Sequence, residues 1–373
     1  MAVIAIFCDG TWNSPGAGLS THVLREADAC ARMPDQIVLY FPGVGTGTGM
    51  VSELGRRISR IGGGLFGWGL NRNIRAAYLE LCRIYQPGDR IMIFGFSRGA
   101  YTARSLVGMI RKCGILEKPA RLNAWRAFRL YRRRGAENGP DAPDVMAARR
   151  RLSPGYATSQ ADIEMRADGS NLVRISYLGV WDTVGALGIP QAVLGGIARA
   201  WNRRYQFHDT SLSRLVEHAR HAVALDERRV LFEPSLWDNL DQKPGDPGLN
   251  RGDQGLERPY QQVWFAGNHS IVGGAVAAQG LAAVPARFVM EEAERLGLQS
   301  RRAGLPRPDA TGPAPDIDDV RGLYRFFPVL LRWRAGPQTP RGLHPSVLTR
   351  MARRNDYRPG SLRWLFPELF DGD

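Results

Sequence analysis

The sequence predicts an α/β fold in which a mainly parallel β-sheet carries helices on both faces. Short apolar runs typical of buried strands alternate with segments whose apolar residues recur at helical spacing. Strands that are separated by helices usually pair in parallel and are covered on both sides. The chain has 373 residues, which is more than one simple core usually holds. A large domain with insertions, or a domain with an additional lobe, accounts for this length.

The first predicted strand, Val3 to Phe7, leads into Asp9, Gly10 and Thr11. The loop after an early strand can supply an N–H group that stabilises an oxyanion, so the N–H of Gly10 or of Thr11 is a candidate. Alternatively, Asp9 accepts hydrogen bonds from its own loop in an Asx turn. Both interpretations can hold together.

The second strand, Gln36 to Phe41, leads into a glycine run over residues 42–49. These glycines fit neither a dinucleotide-binding spacing nor a P-loop, so they are interpreted as a flexible loop and no cofactor is predicted. Residues 61–70 are also glycine-rich and predict a loop. Residues 71–85 predict an amphipathic helix.

Residues 91–110 predict a strand, a tight turn and a helix. The apolar run that starts at Ile91 enters Gly-x-Ser-x-Gly, with Ser97 at its centre, and a helix follows from Tyr101 to Ile110. In such a nucleophile elbow, a strained turn lifts the serine hydroxyl above the edge of the sheet. The N–H of Arg98, next to the start of the helix, is then a candidate oxyanion donor. The alternative is an inert serine in a βα turn.

Between about residues 120 and 171 the strand pattern lapses, which predicts a helical insertion. Trp125, Phe128 and Tyr131 form an apolar stripe there, and arginines occupy the opposite face. The segment is either a solvated basic helix or an amphipathic cap over the site that contacts anionic lipid.

Two further strands end in polar residues. The strand over 172–180 leads to Asp182, and the last clear strand, over 261–266, leads to His269 in a glycine-rich loop. Residues 217–221 are interpreted as helical, which places His218 and His221 on one face. No carboxylate pattern completes a metal site there, so no metal is predicted.

The C-terminal part predicts a linker and a packed segment. Residues 299–316 are rich in proline, arginine and alanine, and residues 323–333 combine aromatic, aliphatic and arginine side chains. Packing on the core is the favoured interpretation, and an interfacial anchor is the alternative. The predicted organisation is a catalytic domain over 1–298 that includes the insertion, followed by the linker and packed segment over 299–373.

Composition restricts the partners and the compartment. The net charge is +14, mostly from arginine, which reflects either a codon preference or attraction to anionic lipid or nucleic acid. Because no nucleic-acid-binding motif accompanies the charge, no nucleic-acid partner is expected. The four cysteines show no CxxC or metal spacing and are expected to be free and buried. With no signal peptide and no membrane-spanning run, the chain is expected to be made in the cytoplasm and to need a dedicated apparatus for any export.

Ser97, Asp182 and His269 each follow a strand, in the chain order of the α/β-hydrolases. The carboxyl ends of parallel strands share one edge of a sheet, where sites are built. The chemistry of the three residue types assigns Ser97 as nucleophile, His269 as general base and Asp182 as the group that fixes the imidazole tautomer. The predicted fold is therefore α/β-hydrolase-like, with a helical insertion or cap and a C-terminal extension.

Further motifs accompany these residues along almost the whole chain. They are Asp9–Asn13, Pro42–Thr46, Gly95–Arg104, Gly179–Gly185, His208–Leu212, Ala224–Arg228, the segment around His269, Leu343–Val347 and Tyr357–Pro359. With these motifs the chain resembles the α/β-hydrolase domain family that includes the first family of type VI secretion lipase effectors. The resemblance implies the same triad, a phospholipase activity that degrades lipids, an antibacterial role, and a secretion apparatus or an immunity protein as partner.

One motif departs from the pattern of that family. Around the catalytic histidine the family usually reads Gly-Val-His-Ser-Asp-Val-Gly-Gly-Gly, whereas residues 267–275 read Gly-Asn-His-Ser-Ile-Val-Gly-Gly-Ala. Ile271 cannot accept hydrogen bonds from the glycine N–H groups that follow it, and Asn268 is the alternative polar partner. The loop is therefore expected to be less preorganised, and Ile271→Asp is expected to raise ester hydrolysis.

Two functions from different classes fit the sequence. The first is a serine esterase or phospholipase that cleaves acyl esters, with a lipid or small ester as substrate and an anionic membrane surface as a further partner. The second is a catalytically weakened hydrolase fold that serves as a binding or toxin-associated module. Reaction of Ser97 with a fluorophosphonate distinguishes them.

Overall fold

The computed structural model describes most of the chain. The described residues are 1–10, 19–30, 35–43, 64–166, 169–185, 211–277, 279–314, 317 and 328–370, with the backbone alone for 64–68. Several predicted features lie wholly or partly outside these ranges: Thr11, the glycine run beyond residue 43, the motif at 208–212, and the segment at 323–333.

The central sheet is parallel throughout. The strands of the described residues are β1 (Val3–Cys8), β2 (Gln36–Phe41), β3 (Arg90–Phe96), β4 (Tyr156–Ala157), β5 (Asn171–Leu172), β6 (Ile175–Trp181), β7 (Val216–Ala224) and β8 (Tyr260–Phe265). The main sheet has the order β2-β1-β3-β6-β7-β8, and β4 and β5 form a separate pair. Every neighbouring pair in the main sheet is parallel, which confirms the predicted α/β class.

Helices cover both faces of this sheet. The helices of the described residues are α1 (His22–Cys30), α2 (Gly64–Ile84), α3 (Arg98–Cys113), α4 (Arg121–Tyr131), α5 (Pro143–Leu152), α6 (Gln160–Glu164), α7 (His269–Val272), α8 (Gln279–Arg295), α9 (Pro345–Arg353) and α10 (Gly360–Leu365). Short 3₁₀ turns lie at Ala136–Asn138, Val230–Phe232, Pro328–Leu330, Pro340–Gly342 and Pro367–Phe370. Residues of α2, α3 and α4 form the core on one face, and residues of α1 and α8 form the core on the other.

The apolar runs of the central strands supply both cores. Successive side chains of a strand point to opposite faces, so Ile4, Ile6 and Ile93 join the core below α2 and α3. Phe7 and Phe94 join the opposite core and stack with their ring centroids 4.5 Å apart. A sheet that is buried on both faces needs apolar residues at successive positions, which explains why β1 and β3 are continuous apolar runs.

Helix α2 begins earlier than the sequence predicted. A loop was expected over 61–70, but the helix already starts at Gly64. Each glycine in a helix interior costs about 1 kcal/mol relative to alanine, and tertiary packing offsets this cost. Leu70 and Ile74, both buried at 2% exposure, anchor the helix to the core.

The helical interpretation of residues 217–221 is wrong. They belong to β7, which pairs with β6 and β8. Residues three apart on a strand face opposite sides, so His218 and His221 do not share a face. The Nδ1 atom of His218 lies 2.8 Å from Glu292, and that of His221 lies 2.9 Å from the side-chain oxygen of Gln262. The sequence of this short polar stretch fits the period of a helix as well as that of a strand. Its pairing with β6 and β8 makes it a strand.

The predicted insertion lies between α3 and β6 and contains α4, α5, α6 and the β4–β5 pair. Of its apolar stripe, Phe128 and Tyr131 are buried, whereas Trp125 is exposed. The Arg129 guanidinium lies over the Trp125 ring, 4.8 Å from its centroid. Helix α4 thus turns its apolar side to the core, which favours the interpretation as a solvated basic helix.

The described C-terminal residues pack beside β7 and β8. Leu343 bridges to Trp264 of β8, and both belong to a third buried cluster with Val347 of α9 and Leu362 of α10. The division of the chain near residue 298 stays a prediction.

The four cysteines are free and buried, as predicted. None of the helices in the described ranges is both long and apolar enough to cross a membrane. Within the same ranges, no group of His, Cys, Asp or Glu side chains is placed to hold a metal ion.

Candidate active site

The fold brings Ser97, Asp182 and His269 together at the carboxyl edge of the sheet. Ser97 follows β3, Asp182 follows β6, and His269 lies just beyond β8. The Nε2 atom of His269 is 2.8 Å from Ser97 Oγ, and its Nδ1 atom is 2.5 Å from Asp182 Oδ2. The three residues are exposed by only 4%, 0% and 5%, in the order Ser97, Asp182, His269. A serine hydroxyl, an imidazole and a carboxylate in this sequence of contacts can activate the serine as a nucleophile.

The backbone at Ser97 is strained, and two glycines permit the strain. Ser97 has φ 58° and ψ −123°, in the positive-φ region that L-residues rarely adopt. A Cβ on Gly99 would lie 2.1 Å from the carbonyl oxygen of Cys8, and one on Gly95 would lie 2.6 Å from that of Gly99. The Ser97 N–H donates to the carbonyl oxygen of Trp181 at 3.0 Å. The turn is therefore fixed by the neighbouring strands, as a nucleophile elbow requires.

The Asp182 carboxylate is held from several directions. Its Oδ1 accepts from the N–H of Ala224 at 2.9 Å, and its Oδ2 lies against His269. Burial alone would raise the pKa of Asp182, but the Arg334 charge and the hydrogen bond from His269 outweigh it and lower that pKa far below its usual range. The group is therefore an anion although it is fully buried.

Arg334 is the partner that the sequence did not predict. Its NH1 is 2.7 Å from Asp182 Oδ1 and its NH2 is 3.0 Å from Oδ2. Arg334 lies 152 positions after Asp182 in the chain. No motif or local periodicity marks it among the many arginines of the sequence, so only the folded chain identifies it.

The His269 ring is oriented by its backbone and by two aromatic rings. The backbone N–H of His269 donates to Glu227 Oε2 at 3.1 Å. The ring centroids of Phe96 and Phe232 each lie 4.7 Å from the centroid of the imidazole ring. Burial lowers the pKa of His269 below its ordinary value, and the nearby Asp182 only partly opposes this. The imidazole is therefore neutral near pH 7 and able to accept a proton.

Glu227 is a second residue with a role that the sequence did not predict. It accepts from the N–H groups of Arg228 and Arg229 at 3.1 and 2.8 Å and pairs with the Arg229 guanidinium at 2.6 Å. Residues 224–229 form the end of β7 and the turn that follows it. Glu227 ties this turn to the start of α7, which carries His269.

The predicted oxyanion donors are only partly described. The N–H of Gly10 donates to Asp9 Oδ1 at 2.6 Å, while Asp9 Oδ2 accepts from the hydroxyls of Thr21 and Tyr40, both at 2.8 Å. The Asp9 carboxylate thus accepts from its own loop, but at the next residue and not two residues on, so the Asx turn itself stays a prediction. Thr11 lies outside the described residues. The oxyanion roles of Gly10 and Thr11 therefore stay predictions.

Arg98 is the first residue of α3 and directly follows Ser97. Burial lowers the pKa of its guanidinium to about 10. The group is still a cation at neutral pH. Its proposed contribution to an oxyanion site is the backbone N–H beside Ser97.

The structure contradicts the expectation that Ile271 leaves the following glycine N–H groups without acceptors. The glycine N–H groups that follow are already bonded, since Gly273 donates to the carbonyl oxygen of His269 at 3.0 Å and Gly274 to that of Ile271 at 3.1 Å. Asn268 Oδ1 caps α7 by accepting from the N–H groups of Ser270 and Ile271, both at 3.1 Å. The side chain of Ile271 is 2% exposed and packs in an apolar cluster.

Ile271→Asp is therefore expected to destabilise the protein and not to raise hydrolysis. The carboxylate would be buried among apolar side chains, which costs several kcal/mol. Urea unfolding measures the loss, with Ile271→Val as the matched control at about 0.5–1.5 kcal/mol. Equal stability of wild type and Ile271→Asp, together with a higher kcat/KM, would restore the original expectation.

A family model matches most of this chain, and one curated protein is similar to it over a shorter stretch. The family model described as "T6SS, Phospholipase effector Tle1-like, catalytic domain" matches residues 3–292. The uncharacterized protein YEL023C of Saccharomyces cerevisiae is 32% identical over 238 residues, which cover 61% of this chain and 32% of that protein. The chain thus spans about a third of the length of this curated relative.

Two solved structures are also similar to this chain. An uncharacterized protein from Pseudomonas aeruginosa is 17% identical, with 83% of this chain and 49% of that chain covered and a TM-score of 0.43. The Tle1 effector bound to the VgrG spike from the Type 6 secretion system is 18% identical, with 74% and 52% covered and a TM-score of 0.36.

Proposed function

This chain belongs to the T6SS phospholipase effector family with a Tle1-like catalytic domain, and from this premise we propose that it cleaves acyl ester bonds of phospholipids as a serine hydrolase. Lipid hydrolysis is the activity of the family. The contacts of His269 with Ser97 at 2.8 Å and with Asp182 at 2.5 Å support the finer assignment. These contacts are the observation on which the proposal depends.

In the proposed acylation step, Ser97 Oγ attacks the ester carbonyl carbon while His269 Nε2 takes the hydroxyl proton. The new Oγ–C bond displaces the carbonyl π electrons onto oxygen, and the Arg98 N–H is proposed to stabilise that oxyanion. Collapse of the tetrahedral intermediate breaks the bond to the lipid alcohol, which leaves with the proton from His269. The acyl group remains on Ser97.

Deacylation repeats the sequence with water. His269 takes a proton from water as the water oxygen attacks the acyl-enzyme, and the collapse returns the proton to Ser97 Oγ. The fatty acid then leaves. Throughout both steps Asp182 keeps the Nδ1–H tautomer of His269 and stabilises the imidazolium that forms transiently.

The family also suggests partners for this chain. We propose delivery by a type VI secretion apparatus and neutralisation by an immunity protein in the producing cell. The net charge of +14 favours contact with an anionic membrane surface, because clustered arginines attract anionic headgroups.

A phospholipid panel with product identification by mass spectrometry tests the proposed reaction. In water enriched in ¹⁸O, hydrolysis through an acyl-enzyme places the label in the released fatty acid, with a lysophospholipid as co-product. Release of a labelled phosphorylated headgroup, or no ester hydrolysis on any phospholipid or short-chain ester, would contradict the proposal.

The acid limb of kcat/KM should lie at lower pH than for an ordinary histidine. Only the neutral imidazole accepts the Ser97 proton, so activity falls as pH drops through the pKa of His269. Because burial lowers that pKa, the midpoint is expected below about 6.5, the ordinary value for histidine. Initial rates on a soluble short-chain ester measure the profile. A midpoint above about 6.5, or a flat profile, would argue against His269 as the base.

A further inference from the structure

We infer that Arg334 is a positioning residue for the proposed triad, which fixes the Asp182 carboxylate in the orientation that His269 needs and extends hydrolysis to lower pH. The inference rests on the proposed function. Arg334 lies beyond residue 292, where the family match ends. The C-terminal segment therefore contributes to the site that the matched region contains.

The contact between Arg334 and Asp182 is bidentate. The two guanidinium nitrogens lie 2.7 and 3.0 Å from the two carboxylate oxygens, and the Ala224 N–H donates to Oδ1 at 2.9 Å. A planar fork that binds both oxygens sets the plane of a carboxylate, whereas a single contact leaves it free to rotate about χ2. The carboxylate is thus held on one side so that Oδ2 faces His269.

Arg334 is itself held rigidly. Its NH1 donates to the carbonyl oxygen of Ala224 at 2.8 Å, and its NH2 donates to that of Phe232. Its side chain is only 2% exposed. The ring of Phe232 also packs on His269. Arg334 therefore connects the end of β7, the backbone of Phe232 and the Asp182 carboxylate through hydrogen bonds. Such a buried, multiply bonded pair differs from a surface ion pair, which contributes little.

The charge of Arg334 also affects the imidazole. Asp182 and Glu227 favour the imidazolium form of His269, and Arg229 opposes it. His221, which faces Asp182 from β7, stays neutral because burial lowers its pKa to about 3.

Arg334 offsets the charge of Asp182. Without Arg334, the unpaired carboxylate would hold the proton on His269 more tightly. Loss of Arg334 would also make Asp182 easier to protonate. Both effects move the acid limb to higher pH.

Two variants of the full chain test the inference, Arg334→Met and Arg334→Lys. Arg334→Met should lower kcat/KM on a soluble ester near pH 8 on the order of 10²-fold through misplacement of the base. The loss should fall on kcat more than on KM, and the midpoint of the acid limb should rise by about one pH unit. Arg334→Lys keeps the charge but not the fork, so its midpoint should stay near wild type while kcat falls by about tenfold. Fluorophosphonate titration normalises the rates per reactive site.

The matched control is Arg350→Met. Arg350 is also a buried arginine of the C-terminal part, at 2% exposure, and donates to the carbonyl oxygens of Ala310 and Gly312, both at 2.9 Å. Its loss should lower the melting temperature without moving the midpoint. An unchanged midpoint and rate in Arg334→Met, or an equal shift in Arg350→Met, would overturn the inference. If Arg334→Met does not fold, wild-type kcat in Arg334→Lys would overturn it.

NMR titration of the His269 ring separates this inference from the proposed function. The titration needs no turnover, and His269→Gln assigns the signal. A higher pKa of His269 in Arg334→Met than in wild type supports the role of Arg334 even if no ester is hydrolysed, and an unchanged pKa contradicts it. Failure of the proposed function would instead appear in the wild type, which would neither hydrolyse esters nor react with the fluorophosphonate.

Discussion

Replacing Ser97 by alanine should abolish ester hydrolysis, with kcat falling on the order of 10⁶-fold if the triad acts as a unit. Alanine retains the backbone but removes the hydroxyl oxygen that is proposed to attack the acyl carbon. The Oγ contacts His269 at 2.8 Å, so its removal disturbs little packing and the melting temperature should stay close to that of wild type. Release of fatty acid, measured with circular dichroism of the same sample, tests both parts.

Ser105→Ala is the matched control for this prediction. Ser105 lies on α3, about two helical turns beyond Ser97, and is buried at 2% exposure. The control removes a buried hydroxyl from the helix that follows Ser97 and leaves His269 unchanged, so hydrolysis should persist. If Ser97→Ala retains substantial hydrolysis, a different nucleophile performs the reaction.

Asp182→Asn should lower kcat on the order of 10⁴-fold, because an amide favours the wrong tautomer of the histidine. The structure adds an expectation about stability. The change removes the anion that Arg334 binds at 2.7 and 3.0 Å and leaves a buried cation without its partner. Breaking such a pair costs about 3–5 kcal/mol, so chemical denaturation should show a large loss in the free energy of unfolding.

The double variant Asp182→Asn/Arg334→Met separates the two losses. Removing the unpaired cation should recover much of the stability, because an apolar side chain replaces a buried charge. Catalysis should not recover, since no carboxylate then orients His269. Wild-type stability of Asp182→Asn alone, or no recovery in the double variant, would contradict this account of the buried pair.

Local sequence patterns predicted the proposed catalytic residues because each follows an apolar strand. The turn at Ser97 is recognisable from its two glycines, and Asp182 and His269 follow strands whose ends meet at one edge of a parallel sheet. The start of α2 and the strand character of β7 were missed, because glycine content and short polar stretches are weak signals until packing decides between helix, loop and strand.

The supporting contacts could not be predicted, because they depend on residues far apart in the chain. Arg334 and Asp182 are separated by 152 positions, and Glu227 reaches the His269 N–H across 42 positions. Ile271 shows the same limit for a family pattern. The family usually has an acidic residue at that position, but in this chain the glycine N–H groups donate to nearby backbone carbonyl oxygens and the isoleucine is buried.

Mapping the site of fluorophosphonate reaction tests the central claim most directly. The probe reacts with a serine only when a neighbouring base activates it, so folded wild-type protein should carry the adduct on Ser97, and heat-denatured protein should carry none. Peptide mass spectrometry locates the adduct without any assumption about the lipid substrate. An adduct on another residue, or no adduct on Ser97 in the folded protein, would contradict the proposal that Ser97, His269 and Asp182 form a working triad.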